Sequence, residues 1–546
     1  MSRPTLSPEA AAACADDIRR FEEETAAQKN GTLPFPEYKG RRARHGTYEQ
    51  RQDGRFMIRP RFPAGVLTTA AARAAAAASR TAGDGVLHLT TRQDVQIHGV
   101  PEDRVPGVMR DLLAAGVPCR GSGGDAARNT AACPLAGVCQ HEAFDVTPHA
   151  LAVGGDMLAA AGEFSLPRKF KPAFSGCNCD CAGAKIADSG FIARIHDGQP
   201  GFALYAGGGL GAISRPADLL EEWIPAADAP AANRALLKLF ERHGDRTNRA
   251  RARLRFVFER LGVVALRTEF RQEFAAARAV PPSSSPIENR KSKIENSPAA
   301  PSIPPSPWRL PEAVPACGLR IVRQRQEGLV SVAVRPPLGL LSAAAMACAA
   351  DAAEQFSREK GLRLTPDQGF LIRSVPENAL PELDRVLAGT PQTLPDSGDL
   401  LGWMTVCSGS SVCRLGQFDS RDLARSLAAA LLRASLPQEF VEAADIRISG
   451  CLNACSQAPV AGIGLCGLGR PGEDGKIQPH YRILLGASRR QSPVRLNEPA
   501  AVLPAGRVPA AVVALLQAWR GDAATEESLG DFSRRLGPDA LGKILA

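Results

Sequence analysis

The feature that most constrains the fold of this chain is that its two halves repeat each other. GVLTTAAARAAAAAS at 65–79 matches GLLSAAAMACAADAA at 339–353. LHLTTRQDVQIHGVPEDRVPGVMRDL at 87–112 matches LRLTPDQGFLIRSVPENALPELDRVL at 362–387. Each unit has the pattern of a strand, an Ala-rich helix, a strand with alternating apolar residues, and a second helix after a Pro-containing turn. This order predicts an α+β module with an antiparallel or mixed sheet.

A second region repeats in the same way. FSGCNCDCAGAKIADSGFIA at 174–193 matches ISGCLNACSQAPVAGIGLCG at 448–467, and the offset between the halves is 274 or 275 residues throughout. We therefore predict a duplicated fold with pseudo-two-fold symmetry and a cofactor between its halves. Residues 279–307 separate the halves; they are rich in Pro and Ser and have almost no large apolar side chains. Such a segment cannot bury enough surface to offset the entropy of ordering, which predicts a flexible linker.

Charge and targeting signals limit the class of protein. The net charge of +9 and the pI near 9.0 fit nucleic acid, or an acidic protein or cofactor, as a partner. The basic residues are spread along the chain instead of forming a tail. The N-terminus has no apolar signal region, and no apolar run reaches the roughly 18 residues of a membrane span, so we expect a cytoplasmic protein. Because that compartment keeps thiols reduced, its 14 cysteines favour metal or cluster ligation over disulfides.

Four cysteines of the second half form two close pairs in Gly- and Ser-rich segments. Cys407 and Cys413 are a Cys-x5-Cys pair, and Cys451 and Cys455 are a Cys-x3-Cys pair. Such a set suits a tetrahedral sulfur site for zinc or an iron–sulfur cluster, and the spacing alone does not choose between them. Buried thiols without a metal are a weaker explanation, since packing alone does not call for paired cysteines in turns.

Cys-x5-Cys followed by Gly-Cys-x-Asn-x-Cys resembles the cluster motif of the nitrite and sulfite reductase family. The resemblance implies that these four cysteines hold a [4Fe–4S] cluster. It also implies that Cys455 bridges the cluster to a siroheme iron and that Asn453 lies against the macrocycle. GDFSRR at 530–535 resembles the family's C-terminal segment, so the resemblance spans nearly the whole chain apart from the linker.

Four segments of the first half resemble the basic segments of the same family, namely IRPRFPAGVLT at 58–68, TTRQDVQIHG at 90–99, ARNTAACPLAG at 127–137 and LPRKFK at 166–171. The resemblance implies two groups of residues. The substrate anion would be bound on the far side of the siroheme iron by Arg59, Arg128, Lys169 and Lys171. The siroheme carboxylates would be held by Arg92, Gln96, His98 and Arg168. His88 stands where the family often has a further arginine.

The chemistry independently requires such a basic pocket. Siroheme carries eight carboxylates, and an anionic substrate must bind beside this electron-rich centre. One cation about 4 Å from such a charge contributes around 4 kcal/mol at an effective dielectric near 20. At the offset of 274 the four anion-binding bases are replaced in the second half by Ala333, Gly402, Ala443 and Asp445. The halves have therefore specialised, and we expect one active site per chain.

The predicted fold class is α+β, with duplicated ferredoxin-like half-domains and two α/β cofactor-binding domains. We expect an N-terminal extension (1–54), a first half-domain (55–120), a siroheme and anion-pocket domain (121–278), a linker (279–310), a second half-domain (311–395) and a [4Fe–4S]/siroheme domain (396–546). The first half has a second cysteine set, Cys133, Cys139, Cys177 and Cys181, at mirrored positions. This set either binds a second cluster or consists of inherited packing thiols. The chemistry requires only one cluster, and a single cluster is our prediction.

The resemblance leaves several functions open. The favoured one is the six-electron reduction of sulfite to sulfide, because nitrite reductases of the family usually have Asn at the position of Lys171. The alternatives are ferredoxin-dependent nitrite reduction to ammonia, precorrin-3B synthesis, and a non-catalytic iron–sulfur or zinc protein. The four-base pocket argues against precorrin-3B synthesis. No flavin or nicotinamide motif is present, so we expect electrons from ferredoxin or a flavoprotein, and neither nucleic acid nor a membrane as a partner.

Overall fold

The computed structural model describes residues 6–279, 312–313, 319–389, 399–473, 475–488, 494–524 and 527–546. The predicted linker at 279–310 lies outside the described residues except for its first position. Within these ranges, no helix is both long and apolar enough to cross a membrane.

The first unit has the predicted order of elements. Its Ala-rich helix α3 begins after Thr68, whose side chain accepts a hydrogen bond from the backbone N–H of Ala71 at 3.1 Å, and it ends at Ala82, with Gly83 as the C-cap. Ala is the strongest helix former, and Thr is a good N-cap. The elements are α1 (Pro8–Lys29), α2 (Phe35–Arg44), β1 (Thr47–Glu49), β2 (Arg55–Ile58), β3 (Val66–Thr68), α3 (Thr69–Ala82), β4 (Val86–Leu89), β5 (Val95–Pro101) and α4 (Val105–Ala114).

The second unit is a mixed sheet covered by helices. Strands β6, β7 and β8 run parallel, whereas β9 and β10 are antiparallel additions. The elements are β6 (Ala131–Ala132), α5 (Thr147–Ala159), β7 (Pro172–Ser175), β8 (Ser189–His196), β9 (Gln199–Ala206), β10 (Asp218–Pro225), α6 (Ala229–His243), α7 (Leu254–Leu261) and α8 (Val263–Arg278).

The third unit repeats the core of the first. Helix α9 is capped by Ser342 in the way that Thr68 caps α3, with the N–H of Ala345 as donor at 3.0 Å. The elements are β11 (Glu312–Ala313), β12 (Arg320–Arg323), β13 (Leu329–Val334), β14 (Leu340–Ser342), α9 (Ala343–Phe356), β15 (Gly361–Leu364), β16 (Phe370–Pro376) and α10 (Leu380–Ala388).

The fourth unit repeats the sheet of the second unit. Strands β17, β18 and β19 are parallel, and β20 and β21 are antiparallel. The elements are β17 (Thr405–Val406), α11 (Gly409–Val412), α12 (Ser420–Arg433), α13 (Gln438–Ala443), β18 (Ile446–Ser449), β19 (Ile463–Pro471), β20 (Ile477–Leu485), β21 (Glu498–Pro504), α14 (Val508–Asp522) and α15 (Leu529–Leu545).

The first and third units exchange one short strand each. Strand β14 of the third unit pairs with β4 in the sheet β1-β2-β5-β4-β14, and β3 of the first unit pairs with β15 in the sheet β11-β12-β13-β16-β15-β3. Both sheets are antiparallel. One hydrophobic core then serves both units and contains side chains such as Leu67, Leu87, Leu341 and Leu362. The α+β duplicated fold class is therefore confirmed.

Two glutamines at equivalent positions make equivalent hydrogen bonds in the two halves, as pseudo-two-fold symmetry requires. The side-chain amide of Gln93 donates to Ala132 O in its own half and to Leu364 O in the other half, at 2.9 and 2.7 Å. The amide of Gln368 reciprocates, donating to Val406 O at 2.9 Å and to Leu89 O at 3.1 Å. Each glutamine has a positive φ, 56° and 68°. Both are buried, so these bonds satisfy polar groups on either side of the interface between the halves.

Candidate active site

The four cysteines of the second half meet at one edge of the sheet formed by β17 to β21. Cys407 directly follows β17, and Cys451 lies two residues after β18. Because these strands are parallel, the loops after them leave the sheet at the same edge. The Cys455 thiol is close enough to interact electrostatically with those of Cys407 and Cys451, and Cys451 interacts in the same way with Cys413. The structure thus brings the four predicted ligands together.

Local hydrogen bonds reach two of these sulfurs, but burial outweighs them and raises the pKa of Cys407 to about 11 and that of Cys451 above its usual value. The N–H of Gly450 donates to the Sγ of Cys407 at 3.2 Å, and the Ser420 hydroxyl lies 3.4 Å from the same atom. A Cβ on Gly450 would lie 2.3 Å from the carbonyl oxygen of Phe418, so this loop requires glycine. Asn453, predicted to touch the macrocycle, hydrogen-bonds to the thiol of Cys451.

The four thiols are not arranged around a single ion. Within the described ranges, no three Cys, His, Asp or Glu side chains are placed to hold one metal ion. A [4Fe–4S] cluster binds one thiolate at each of four irons, so it requires a wider spacing than zinc does.

Arg59 and Arg128 are held side by side in the first half. Arg59 Nη2 and Arg128 Nη1 both donate to Ser122 O, at 2.7 and 3.0 Å. The Arg59 guanidinium also lies 5.5 Å from the ring centroid of Tyr48, whose hydroxyl accepts the N–H of Gly124 at 2.8 Å. Burial raises the pKa of Tyr48, but the charges of Arg128 and Arg59 outweigh it, so that the net shift is downward. The positive potential is therefore strong at this point.

Lys169 and Lys171 lie on either side of the buried Phe170, at the entry to β7. Burial, followed by the charges of Arg253 and Arg128, lowers the pKa of Lys169 to about 7. Burial, followed by the charges of Lys169, Arg92 and Arg253, lowers the pKa of Lys171 well below its usual value. The structure therefore brings all four predicted anion-binding bases into one pocket that is short of negative charge.

This pocket faces the cysteines of the other half. Lys169 is close enough to Cys455 for their charges to interact. The Thr91 hydroxyl donates to Cys455 O at 2.8 Å, and the amide of Gln457 donates to Thr91 O at 3.3 Å. Cys455 is also the exposed member of the four cysteines. The cysteine predicted to bridge to siroheme therefore points out of its own half towards the basic side chains of the other.

Arg92 lies beside Lys171 in this pocket. Gln96 and His98 instead form a separate group of hydrogen bonds with His88. The Oε1 of Gln96 lies 2.9 Å from Nδ1 of His88 and 3.3 Å from Nε2 of His98. Nε2 of His88 in turn lies 2.8 Å from the amide of Gln368, which also contacts the strand before Cys407. Burial lowers the pKa of His88 to about 3 and that of His98 well below its usual value, so both rings are neutral at pH 7.

Arg168, predicted to hold a siroheme carboxylate, forms an ion pair with Asp125 at 3.0 Å, and Arg249 binds the same carboxylate at 2.9 Å. Its role towards the cofactor stays a prediction.

Unsatisfied donors show that the pocket fits a polyanion. Arg92 and Arg128 each have a buried Nε without a hydrogen-bond partner within the described chain, and so does Arg255. A buried guanidinium with unpaired N–H groups costs free energy that an incoming carboxylate recovers. The group of arginines and lysines is therefore suited to a cofactor with several carboxylates and to a small anion.

Three residues of the pocket were missed by sequence reasoning. Arg253 donates to Asp188 Oδ2 at 2.7 Å, and the same oxygen accepts the backbone N–H of Lys171 at 2.9 Å. Tyr48 is the third. The run RARLR at 251–255, just before and at the start of α7, was the available signal for Arg253. No pattern near Tyr48 or Asp188 distinguishes either residue from a solvated side chain.

Comparisons with known proteins find two family models and several relatives. The nitrite and sulphite reductase 4Fe-4S domain matches residues 123–277, and the nitrite/sulfite reductase ferredoxin-like half domain matches residues 48–115 and 322–389. A ferredoxin–nitrite reductase of Synechococcus elongatus is 30% identical over 79% of this chain and 80% of its own. A sulfite reductase [ferredoxin] 2 of Mycolicibacterium paratuberculosis is 28% identical over 86% of this chain and 83% of its own.

A solved structure also has this fold. The Mycobacterium tuberculosis NirA protein superposes with a TM-score of 0.77 and 24% identity, covering 99% of this chain and 98% of that one. This likeness extends the fold assignment to the whole arrangement of four units.

Proposed function

The chain belongs to the nitrite and sulfite reductase family, and from this premise we propose that it reduces sulfite to sulfide with six electrons from a separate donor protein. Membership implies siroheme and a [4Fe–4S] cluster as cofactors. The observation that carries the proposal is that Cys455 of one half faces Lys169 of the other. That contact joins the predicted cluster ligands to the predicted substrate pocket.

Each set of side chains has a distinct task. Cys407, Cys413, Cys451 and Cys455 hold the cluster, and Arg92 contributes to binding the siroheme carboxylates. Siroheme held there would supply the iron centre at which the substrate binds and receives electrons. Arg59 and Arg128 present forked donors to the oxygens of the anion, as their shared anchor at Ser122 O fixes both guanidinium groups.

The lysines supply protons as well as charge. Each of the three sulfite oxygens leaves as water, so every S–O cleavage requires protons at the departing oxygen. A general acid is most effective when its pKa is near the working pH, and the pKa of Lys169 is lowered to about 7. Lys171 adds a second cation, which favours sulfite because sulfite carries more negative charge than nitrite.

Nitrite is the second candidate substrate. The relative from Synechococcus elongatus, 30% identical, is a ferredoxin–nitrite reductase, and this observation favours nitrite. Relatives of both kinds have ferredoxin in their names, and we propose ferredoxin as the electron donor of this chain. An acidic donor protein suits a chain of net charge +9.

Steady-state rates with sulfite and with nitrite on one preparation, with reduced ferredoxin as donor, test the proposal. We expect a higher kcat/KM for sulfite, together with siroheme absorption in the purified protein. A higher kcat/KM for nitrite contradicts the substrate, and the absence of siroheme absorption contradicts the reaction.

A further inference from the structure

A short motif that lies outside both cysteine sets also occurs in each half. QRQDG at 50–54 and QRQEG at 324–328 are separated by the repeat offset of 274 residues. The first lies in the turn between β1 and β2, on the hairpin that leads to Arg59, and the second lies between β12 and β13. We call residues 50–52 and 324–326 the QRQ segments. Both segments contact a cysteine loop of the opposite half.

The first QRQ segment binds the Cys-x5-Cys loop of the second half. The backbone N–H of Arg51 donates to Val412 O at 3.0 Å. The side-chain amide of Gln52 donates to Ser411 O at 2.9 Å. Both carbonyls lie in the last turn of α11, where a helix leaves its acceptors without partners of its own. Cys413 follows α11 directly, so these contacts from the first half fix the main chain that presents its thiol.

The second QRQ segment makes the same two contacts with the first half. The backbone N–H of Arg325 donates to Val138 O at 2.9 Å. The side-chain amide of Gln326 donates to Gly137 O at 3.0 Å. Both acceptors stand one repeat offset before the acceptors of the first segment. Each half therefore holds the Cys-x5-Cys loop of the other half through its main chain, and the duplication preserved this exchange.

The two arginines differ in what their guanidinium groups bind. Arg325 forms an ion pair with Glu142 at 3.2 Å. Arg51 donates through Nε to Cys413 O at 3.3 Å and through Nη2 to Gly416 O at 2.6 Å. The guanidinium of the first segment thus binds the main chain of a predicted cluster ligand, whereas that of the second segment binds a carboxylate.

The glycine at position 416 explains this difference. Gly416 stands one repeat offset after Glu142. A Cβ on Gly416 would lie 2.6 Å from the carbonyl carbon of Gly409 and 2.8 Å from its oxygen, so a larger residue does not fit. The second half therefore has no carboxylate here, and the carbonyl of Gly416 accepts the guanidinium in its place.

We propose that Arg51 is a positioning residue for the [4Fe–4S] cluster, because it holds the loop of Cys413 from the opposite half. The proposal rests on the predicted role of Cys413 as a ligand, and it does not depend on the preference for sulfite or nitrite. Partners outside a metal site keep its ligands in place, and a forked guanidinium on two carbonyls does so for this loop. The cluster site is therefore complete only when both halves are in place.

The rate of iron release tests the proposal in full-length protein loaded with both cofactors without oxygen. Excess bathophenanthroline is added, and the cluster iron that it captures is followed with time. We expect Arg51→Ala to release this iron about tenfold faster than the unmodified protein, since losing a partner outside the metal ligands weakens such sites by about 10–100-fold. Arg51→Lys, which keeps one donor group, is expected to restore part of the slow rate.

Two matched variants serve as controls. Arg55, exposed on the same hairpin, donates to Gly99 O at 3.1 Å and makes no hydrogen bond to the loop within the described chain. Arg325→Ala loosens the mirrored loop instead. Both Arg55→Ala and Arg325→Ala are expected to release iron at the unmodified rate. Equal rates in Arg51→Ala and the unmodified protein overturn the proposal alone, whereas an unmodified protein that takes up no cluster iron overturns the cluster as well.

Alkylation of the metal-free protein gives a second measurement, at single cysteines. We expect Arg51→Ala to raise the alkylation rate of Cys413 severalfold and to leave that of Cys451, on the other cysteine loop, unchanged. A general loss of stability would raise both rates, and that outcome overturns the positioning role. Should Arg51→Ala fail to fold, Gln52→Ala, which removes the bond to Ser411 O, replaces it with the same expected results.

Discussion

Lys171 of the first half and Asp445 of the second half occupy the same backbone position. The N–H of Asp188 donates to Lys171 O at 3.1 Å, and the N–H of Gly462 donates to Asp445 O at 3.2 Å. Lys171 nevertheless lies in the basic pocket, while Asp445 is paired with Arg447 inside its own unit. The difference teaches that the duplication preserved the main-chain hydrogen bonds and changed the charges attached to them.

The two cysteine sets differ in a second way. Cys181 is buried at 3% exposure, whereas its counterpart Cys455 is exposed towards the other half. The bridging role proposed for Cys455 requires a thiolate that reaches out of its own unit, whereas the buried thiol of Cys181 stays inside its unit. Exposure therefore separates the catalytic set from its copy, although their spacings are the same.

The largest expected effect comes from Cys455→Ser. Losing the bridging thiolate should lower sulfite turnover by at least about 100-fold, since even outer-shell changes at metal sites cost about that much. The measurement is turnover together with the absorption and electron paramagnetic resonance spectra of the purified variant. Cys348→Ser serves as the control. Full activity with unchanged spectra would refute the bridging role.

Asp188→Asn should come next. Asp188 is fully buried and is the counter-charge of Arg253, whereas the second half has Gly462 at this position. Removing one member of a buried pair should lower the free energy of unfolding by about 3–5 kcal/mol. Asp351→Asn, which breaks an exposed pair with Arg73, should change it by less than about 1 kcal/mol. Similar urea midpoints for both variants would show that the pocket does not depend on this ion pair.

Gln93→Ala and Gln368→Ala test the symmetry itself. Gln93→Ala removes three hydrogen bonds and Gln368→Ala removes four, including the contact with His88, so each should cost about 1–3 kcal/mol. Urea unfolding of the two single variants measures the costs. A large loss of unfolding free energy in one variant and none in the other would show that the two glutamines match in position but not in their contribution to stability.

Lys171→Asn should lower kcat/KM for sulfite by about tenfold more than kcat/KM for nitrite. The reason is that the more highly charged anion loses more from the missing cation, and about 1.4 kcal/mol corresponds to tenfold. Lys238→Asn, on the exposed face of α6, is the matched control. Equal losses for the two substrates would mean that Lys171 does not discriminate.

The last prediction concerns pH. Lys169 has its pKa lowered to about 7, so its positive charge is present below that pH and is lost above it. The KM for nitrite, which keeps one charge over this range, should rise by up to about tenfold per pH unit above 7. In Lys169→Gln this dependence should vanish. An unchanged pH profile in that variant would assign the titration to another group.

Much of the fold follows from sequence pattern. The repeat offset predicts the duplicated α+β modules, and the Ala-rich segments predict α3 and α9, because period and propensity act locally. Strands β3 and β14, three residues each, are too short for any pattern to show which sheet they join. The pairing of Arg253 with Asp188 likewise joins residues 65 positions apart through a polar contact that leaves no periodic trace.

The exchange of β3 and β14 has a consequence for biosynthesis. Thr68 pairs with Gly361, so neither antiparallel sheet is complete until the ribosome has made the strands of the third unit. A nascent first half then exposes β4 as an open edge, which is a template for aggregation. Contacts so distant along the chain also make folding slow. We therefore expect the newly made first half to be prone to aggregation until β14 has been synthesised and can cover β4.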